Sequence, residues 1–156
     1  EYHITLFMDM AYDIERFNYD NINVHCVDFL CRIFGEKYRD DFTDIQQTYF
    51  KLAFARKPEY MERRTDTEFS IQNYNEVDRR LADYERIAMK AENIMKDLEE
   101  EFVPAFFQLV YYNVKGAALV NQMTLGGQKN RSYVAQQRST ANLMKDKVKV
   151  YGNGTV

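Results

Sequence analysis

The chain has 156 residues, 46% hydrophobic and 15% aromatic, which is enough apolar matter to bury a core as one domain. Its 2 prolines and 6 glycines are too few for the many turns of an all-β fold, and 11 Phe with 12 Tyr exclude a disordered chain. The net charge of -3 gives no general pull toward nucleic acid.

The charge is unevenly spread. From Ala105 onward seven Lys or Arg stand against one acid, Asp146, so that part is +6 and the remainder is -9. Such a split either pairs two parts of one domain or marks a basic face for an anionic partner. The chain starts at Glu1 with neither initiator Met nor signal peptide, and it is read as a piece of a larger protein.

In chain order, Ile4, Leu6, Phe7, Met8, Met10 and Ala11 form a short apolar helix, after which Asp13 can cap a turn through Phe17. Asn18 to Asn21 start a second helix that carries Ile22, Val24, Val27, Leu30, Ile33 and Phe34, with Gly35 as its stop. Cys26 and Cys31 lie five apart on that helix, on different faces. They are poorly placed for a mutual disulfide, read as small core residues, and leave the redox compartment open.

Tyr38, Phe42, Ile45, Tyr49 and Leu52 step by 4, 3, 4, 3, the mark of one buried stripe on a third helix. Pro58 disfavours helix at Lys57, so this helix ends near Arg56. Met61 to Ser70 is polar and aperiodic, hence a loop. Val77, Leu81, Tyr84, Ala88, Ala91, Met95 and Leu98 then make a three-heptad seam, which Ile87 and Ile94 widen toward two neighbours.

Glu99, Glu100 and Glu101 suit the positive start of the next helix, and Pro104 fits its first turn. That helix, Phe102 to Leu125, is the most apolar stretch and is apolar on almost every side, so it is expected inside the bundle with partners on several faces. Gln108, Asn113, Lys115, Asn121 and Gln122 sit throughout it, which argues against a membrane span. Gly126 and Gly127 are expected to end or kink it, and a sixth helix takes Ala141, Leu143, Met144, Val148 and Val150 or Tyr151 before a fraying tail. The expected fold is all-α, a single domain of five to six mostly antiparallel helices over residues 1–156.

Known chemistry finds little support. His3 and His25 lie in neither Glu-x-x-His nor HExxH spacing, so no metal or cofactor is expected, and His25 reads as a packed or half-exposed histidine. There is no GxSxG, no Cys–His pair that sequence can place together and no phosphate loop. No catalytic residue is assigned. Two features sit oddly with pure packing. Asn113 and Lys115 fall within the apolar helix, where they either bond neighbouring groups or face another domain. Lys129, Arg131 and Arg138 stand among amides, a composition that suits a solvated surface, a polar interface or carboxylate recognition.

The run AFFQLVYYNVKGAALVNQ (105–122), followed by KNRSYVAQQR (129–138) and STANLMKDKV (139–148), resembles the helical domain of glycoside hydrolase family 115. LFMDMAYD (6–13), IFGEKY (33–38), ARKPE (55–59) and NYNEVDRR (73–80) agree in the same order. The resemblance implies a parent xylan α-1,2-glucuronidase that hydrolyses glucuronic acid, often its 4-O-methyl form, from glucuronoxylan. It also implies a catalytic TIM barrel before this bundle, a C-terminal β-sandwich after it, a homodimer, and a bacterial parent secreted or exported to the periplasm. Members similar to this chain carry more residues between the RKPE and NYNE motifs, which implies a missing loop between Met61 and Glu62.

The leading expectation is an accessory bundle, itself non-catalytic, that braces the barrel and contributes to dimerisation, with no nucleic acid or membrane partner. Direct contact with the acidic substrate through Lys129, Arg131 and Arg138 is a second reading. A free-standing helical adaptor is the third.

Overall fold

A computed structural model of the chain describes residues 2–61 and 67–152. Among these residues there is no strand, and the helices are α1 (Tyr2–Tyr12), α2 (Tyr19–Phe34), α3 (Arg39–Ala55), α4 (Glu76–Asp97) and α5. Helix α5 runs unbroken as Val103–Phe106, a π turn over Phe107–Tyr111, and Tyr112–Gly152. The implied missing loop after Met61 lies outside the described residues.

Local chemistry accounts for most of the boundaries. Asn18 and Asn21 exchange side-chain to backbone bonds at 2.9 and 3.0 Å, a reciprocal cap that satisfies two donors at the start of α2. Gly35 ends α2 at φ +110°, a backbone conformation that other residues rarely adopt. The turn after Asp13 forms over Ile14–Arg16, but Asp13 makes no side-chain cap bond. The expected cap is therefore corrected: the Phe17 N–H closes the turn on the Ile14 carbonyl instead.

Gly126 and Gly127 do not end the helix. The expected sixth helix is the distal part of α5. A glycine inside a helix costs only about 1 kcal/mol relative to Ala, and Leu125 and Gln128, both buried, anchor either side of the pair.

Ion pairs and hydrogen bonds set the direction of packing. Asp41 pairs with Lys90 at 2.9 Å, Asp44 pairs with Arg86, and the Leu52 carbonyl accepts from Arg80 at 2.9 Å. Rising numbers in α3 meet falling numbers in α4, so the two are antiparallel. The Arg80–Asn121 and Asp78–Lys129 contacts give the same result for α4 and α5.

The core is centred on Phe34, Phe42 and Phe106, whose rings sit 5.2 to 6.4 Å apart and join α2, α3 and α5. Burying each such ring is worth roughly 1.5–3 kcal/mol. The 4-3 stripe of α3 is buried at Tyr38, Phe42, Ile45 and Leu52, with Tyr49 half-buried against it. In α4, Ile87 and Ile94 are as buried as the seam itself. A satellite core of Met61, Val77 and Leu125 lies against Phe69 and Ile71.

One expectation about α5 fails. The helix is not enclosed. It buries one face, through Phe106, Val110, Val114, Ala117, Asn121 and Leu125, and leaves Tyr112, Leu119 and Met123 exposed. From Lys129 to Lys145 every residue is exposed except the half-exposed Ser132. The distal part of α5 therefore extends past the bundle that holds its first half.

Candidate functional site

Where α3 ends, α4 and α5 converge on the most unusual polar group in the fold. Arg80 is 4% exposed. Its Nε donates to Asn121 Oδ1 at 2.7 Å, Nη1 to the Leu52 carbonyl at 2.9 Å and Nη2 to the Arg56 carbonyl at 2.8 Å. The guanidinium also lies 4.6 Å from the Phe69 ring centre and 5.2 Å from that of Tyr84.

Among the described residues no carboxylate bonds to this cation. The carbonyls at the negative C-terminal end of α3 stabilise its charge, and it satisfies them in turn. Burial pushes Arg80 below its ordinary pKa, with the Tyr84 hydroxyl opposing that shift. Burial pushes Tyr84 up to about 12, against the pull of the Arg80 charge. Asn121 completes the set by donating to the Ala117 carbonyl of its own helix at 2.8 Å. Arg80 and Asn121 are engaged on every side and clamp three helices, whereas the buried Tyr84 hydroxyl has no hydrogen-bond partner among the described residues.

A second anchor lies two turns along α5. Gln128 accepts from the Thr67 N–H and hydroxyl at 2.8 and 2.7 Å and donates to the Phe69 carbonyl at 2.9 Å. Its amide thus pairs with the backbone of Thr67 and Phe69 and fixes the segment before α4.

The residues singled out from sequence do not meet at one site. Asn113 is exposed and donates to the Leu109 carbonyl at 3.3 Å, so it serves a carbonyl of the π turn in its own helix. Lys115 is half-buried in a groove of about 340 Å³ between α4 and α5, beside Tyr84, Met89 and Leu119. Lys129 pairs with Asp78 across to α4 at 2.5 Å. Arg131 is engaged as well, its Nη1 lying 3.2 Å from where a Cβ on Gly127 would sit. Arg138 is exposed on the distal part of α5.

Sequence reasoning missed Arg80 and Gln128, although a signal exists for each. Arg80 falls three residues after Val77 and four before Tyr84, on the buried face. Gln128 falls seven after Asn121 and fourteen after Val114, so it shares their face.

Elsewhere, His25 Nε2 lies 2.8 Å from Asp9 Oδ2, and its ring lies 5.6 Å from that of Phe17, which fastens α1 to α2. A cavity of about 690 Å³ opens between α1, α2 and α3, lined by Leu6, Val27 and Phe50 with Thr43 and Gln47. Both cysteines are buried and free, and burial raises both thiols. Among the described residues no group of three or more His, Cys, Asp or Glu could hold a metal, and no helix is long and apolar enough to cross a membrane.

Residues 1–60 match the model of glycosyl hydrolase family 115. The match takes in LFMDMAYD, IFGEKY and ARKPE and stops short of the NYNEVDRR and α5 motifs. It supports a glycoside-hydrolase context for this chain. No curated protein matches the chain.

Proposed function

We propose that this chain is an accessory helical bundle of a xylan α-1,2-glucuronidase of glycoside hydrolase family 115. In this reading it carries no acid, base or nucleophile of the reaction. It braces a catalytic barrel and takes part in dimerisation of the parent. The family match over residues 1–60 carries the proposal. Two features of the fold support it: the polar nodes are engaged in holding helices together, and large apolar side chains on α1 and α5 stand exposed, as faces buried against further domains would.

Lys115, Asn113, Arg131 and Arg138 are proposed as interface residues. Lys129 joins them with its Asp78 pairing kept. Neutralising Lys129, Arg131 and Arg138 together in the full enzyme is expected to leave KM for glucuronoxylan unchanged and to weaken association of subunits. A KM that rises, more steeply at low salt, points instead to contact with the acidic substrate.

The direct test is release of glucuronic acid from decorated xylan. The isolated 156-residue chain is expected to release none, and the parent enzyme to release it. Turnover by the isolated chain at enzyme-like rates overturns the accessory role.

A further inference from the structure

Beside its buried apolar stripe, α3 carries a second stripe of a different kind. Arg39, Thr43, Gln46 and Phe50 step by 4, 3, 4, so they share one face of the helix. All four line the cavity of about 690 Å³ between α1, α2 and α3. The wall opposite is hydrocarbon, made by Leu6 of α1 with Ile22 and Val27 of α2. The volume lies within the roughly 300–1,000 Å³ of small-molecule sites.

Most of the polar wall is already engaged. The Thr43 hydroxyl donates to the Arg39 carbonyl at 2.8 Å. The Arg39 guanidinium donates through Nη1 to Asp28 and through Nε to Glu36, both at 2.7 Å, so its charge is matched within the fold. Gln46 differs. It is 7% exposed, and its Oε1 is buried with no hydrogen-bond partner among the described residues. A buried carbonyl without a donor is costly, and a ligand that brings a donor removes that cost. Gln46 also borders a gap of about 10 Å³ beside Tyr49 and Asn113, which has room for one water and no more. Of the two spaces at Gln46, only the larger admits an organic molecule.

We propose that this cavity binds a neutral amphipathic small molecule whose hydroxyl group donates to Gln46 Oε1. Its apolar body lies against Leu6, Val27 and Phe50. A carboxylate is disfavoured, because it has no proton for the Gln46 carbonyl and Arg39 is held by two acids. Any charged head also loses its water against hydrocarbon walls. The site is independent of the glucuronidase reading, since it rests on the cavity and on Gln46 alone.

The test is calorimetric titration of the full-length protein with para-hexylphenol, para-hexylanisole and para-hexylbenzoate. The three share an apolar body and differ in the head: a hydroxyl donor, an ether without a donor and a carboxylate. The phenol is expected to bind at least about fivefold more tightly than the anisole, and the benzoate is expected to bind weakest of the three. Gln46→Leu is expected to bring the phenol down to the affinity of the anisole. It should leave the anisole unchanged and the urea midpoint no lower, since it removes an unpartnered carbonyl. Ile22→Trp places an indole in the cavity from the half-buried α2 wall and is expected to abolish binding of both uncharged probes. That second variant keeps the site testable if Gln46→Leu fails to fold.

Equal affinity of phenol and anisole overturns the proposal, as does a phenol that does not bind. So does phenol binding that Ile22→Trp leaves intact, because it puts the probe elsewhere on the protein. A Gln46→Leu protein that still prefers the phenol overturns the role of the Gln46 carbonyl and the proposal with it. Release of glucuronic acid is no part of these readouts, so the cavity and the accessory role fail separately.

Discussion

Arg80 is the residue on which α3, α4 and α5 depend together. Its removal leaves the Leu52 and Arg56 carbonyls and Asn121 Oδ1 without their donor. Each buried orphan costs about 1–3 kcal/mol, so Arg80→Met is expected to lower the unfolding free energy by about 3 kcal/mol or more. Arg80→Lys should recover little, because a single ammonium cannot span three acceptors set in a fork. Urea titration measures both, and a cost for Arg80→Met under about 0.5 kcal/mol contradicts the assignment. Tyr84 supplies a second readout. Its folded pKa near 12 lies above the ordinary phenol value of about 10. Its contribution is therefore complete below about pH 10 and is lost as pH rises toward about 12. Tyr84→Phe is expected to make the alkaline loss of stability shallower, as followed by circular dichroism.

At the scale of elements, α2 and α5 show what local signals determine. Asn18→Ala removes one arm of the reciprocal cap and is expected to cost about 1 kcal/mol, read as a lower thermal midpoint. Gly126→Ala is expected to stabilise by about 0.5–1 kcal/mol, because the position is helical, open and away from positive φ. A destabilising Gly126→Ala contradicts an unstrained helix through the pair. The boundaries of α2, α3 and α4 were legible because each carries a cap, a breaker or a heptad in its own residues. The π turn over Phe107–Tyr111 was not legible. It keeps Phe106, Val110 and Val114, spaced by four, on one face, and that need is set by the partners rather than by Phe107–Tyr111.

Across the whole molecule, the helices of one bundle are tied at their ends by charge. The Asp97 carboxyl is held below the ordinary range by Lys37 Nζ at 2.8 Å and the Tyr38 hydroxyl at 2.6 Å. Burial alone would raise Asp44, but Lys90 and Arg86 outweigh it and hold the carboxyl low. Groups with depressed folded values stabilise fully above the ordinary carboxylate pKa of about 4, and that stability is lost as pH falls through the folded values. The thermal midpoint is expected to hold steady from about pH 7 to about pH 5 and to drop below about pH 4. Asp44→Asn should flatten the drop, and a midpoint unchanged down to about pH 2.5 contradicts the pairing. Part of the wider charge split is answered internally: Lys129 of the basic half bridges to Asp78 of α4.

The amino-acid sequence by itself determined an all-α bundle, the stripes of α3 and α4 and the family resemblance that residues 1–60 share with glycosyl hydrolase family 115. Periodicity, caps and breakers act over a few residues, so they can be read without knowing what lies opposite. Only the tertiary structure decided that α5 runs through Gly126 and Gly127, that Arg80 and Gln128 are the polar anchors, and that one face of α5 is left open. Those outcomes depend on which surfaces are already taken. The same apolar count on Phe102 to Leu125 is compatible with an enclosed helix or with one half covered, and only the placement of α3 and α4 chooses between them.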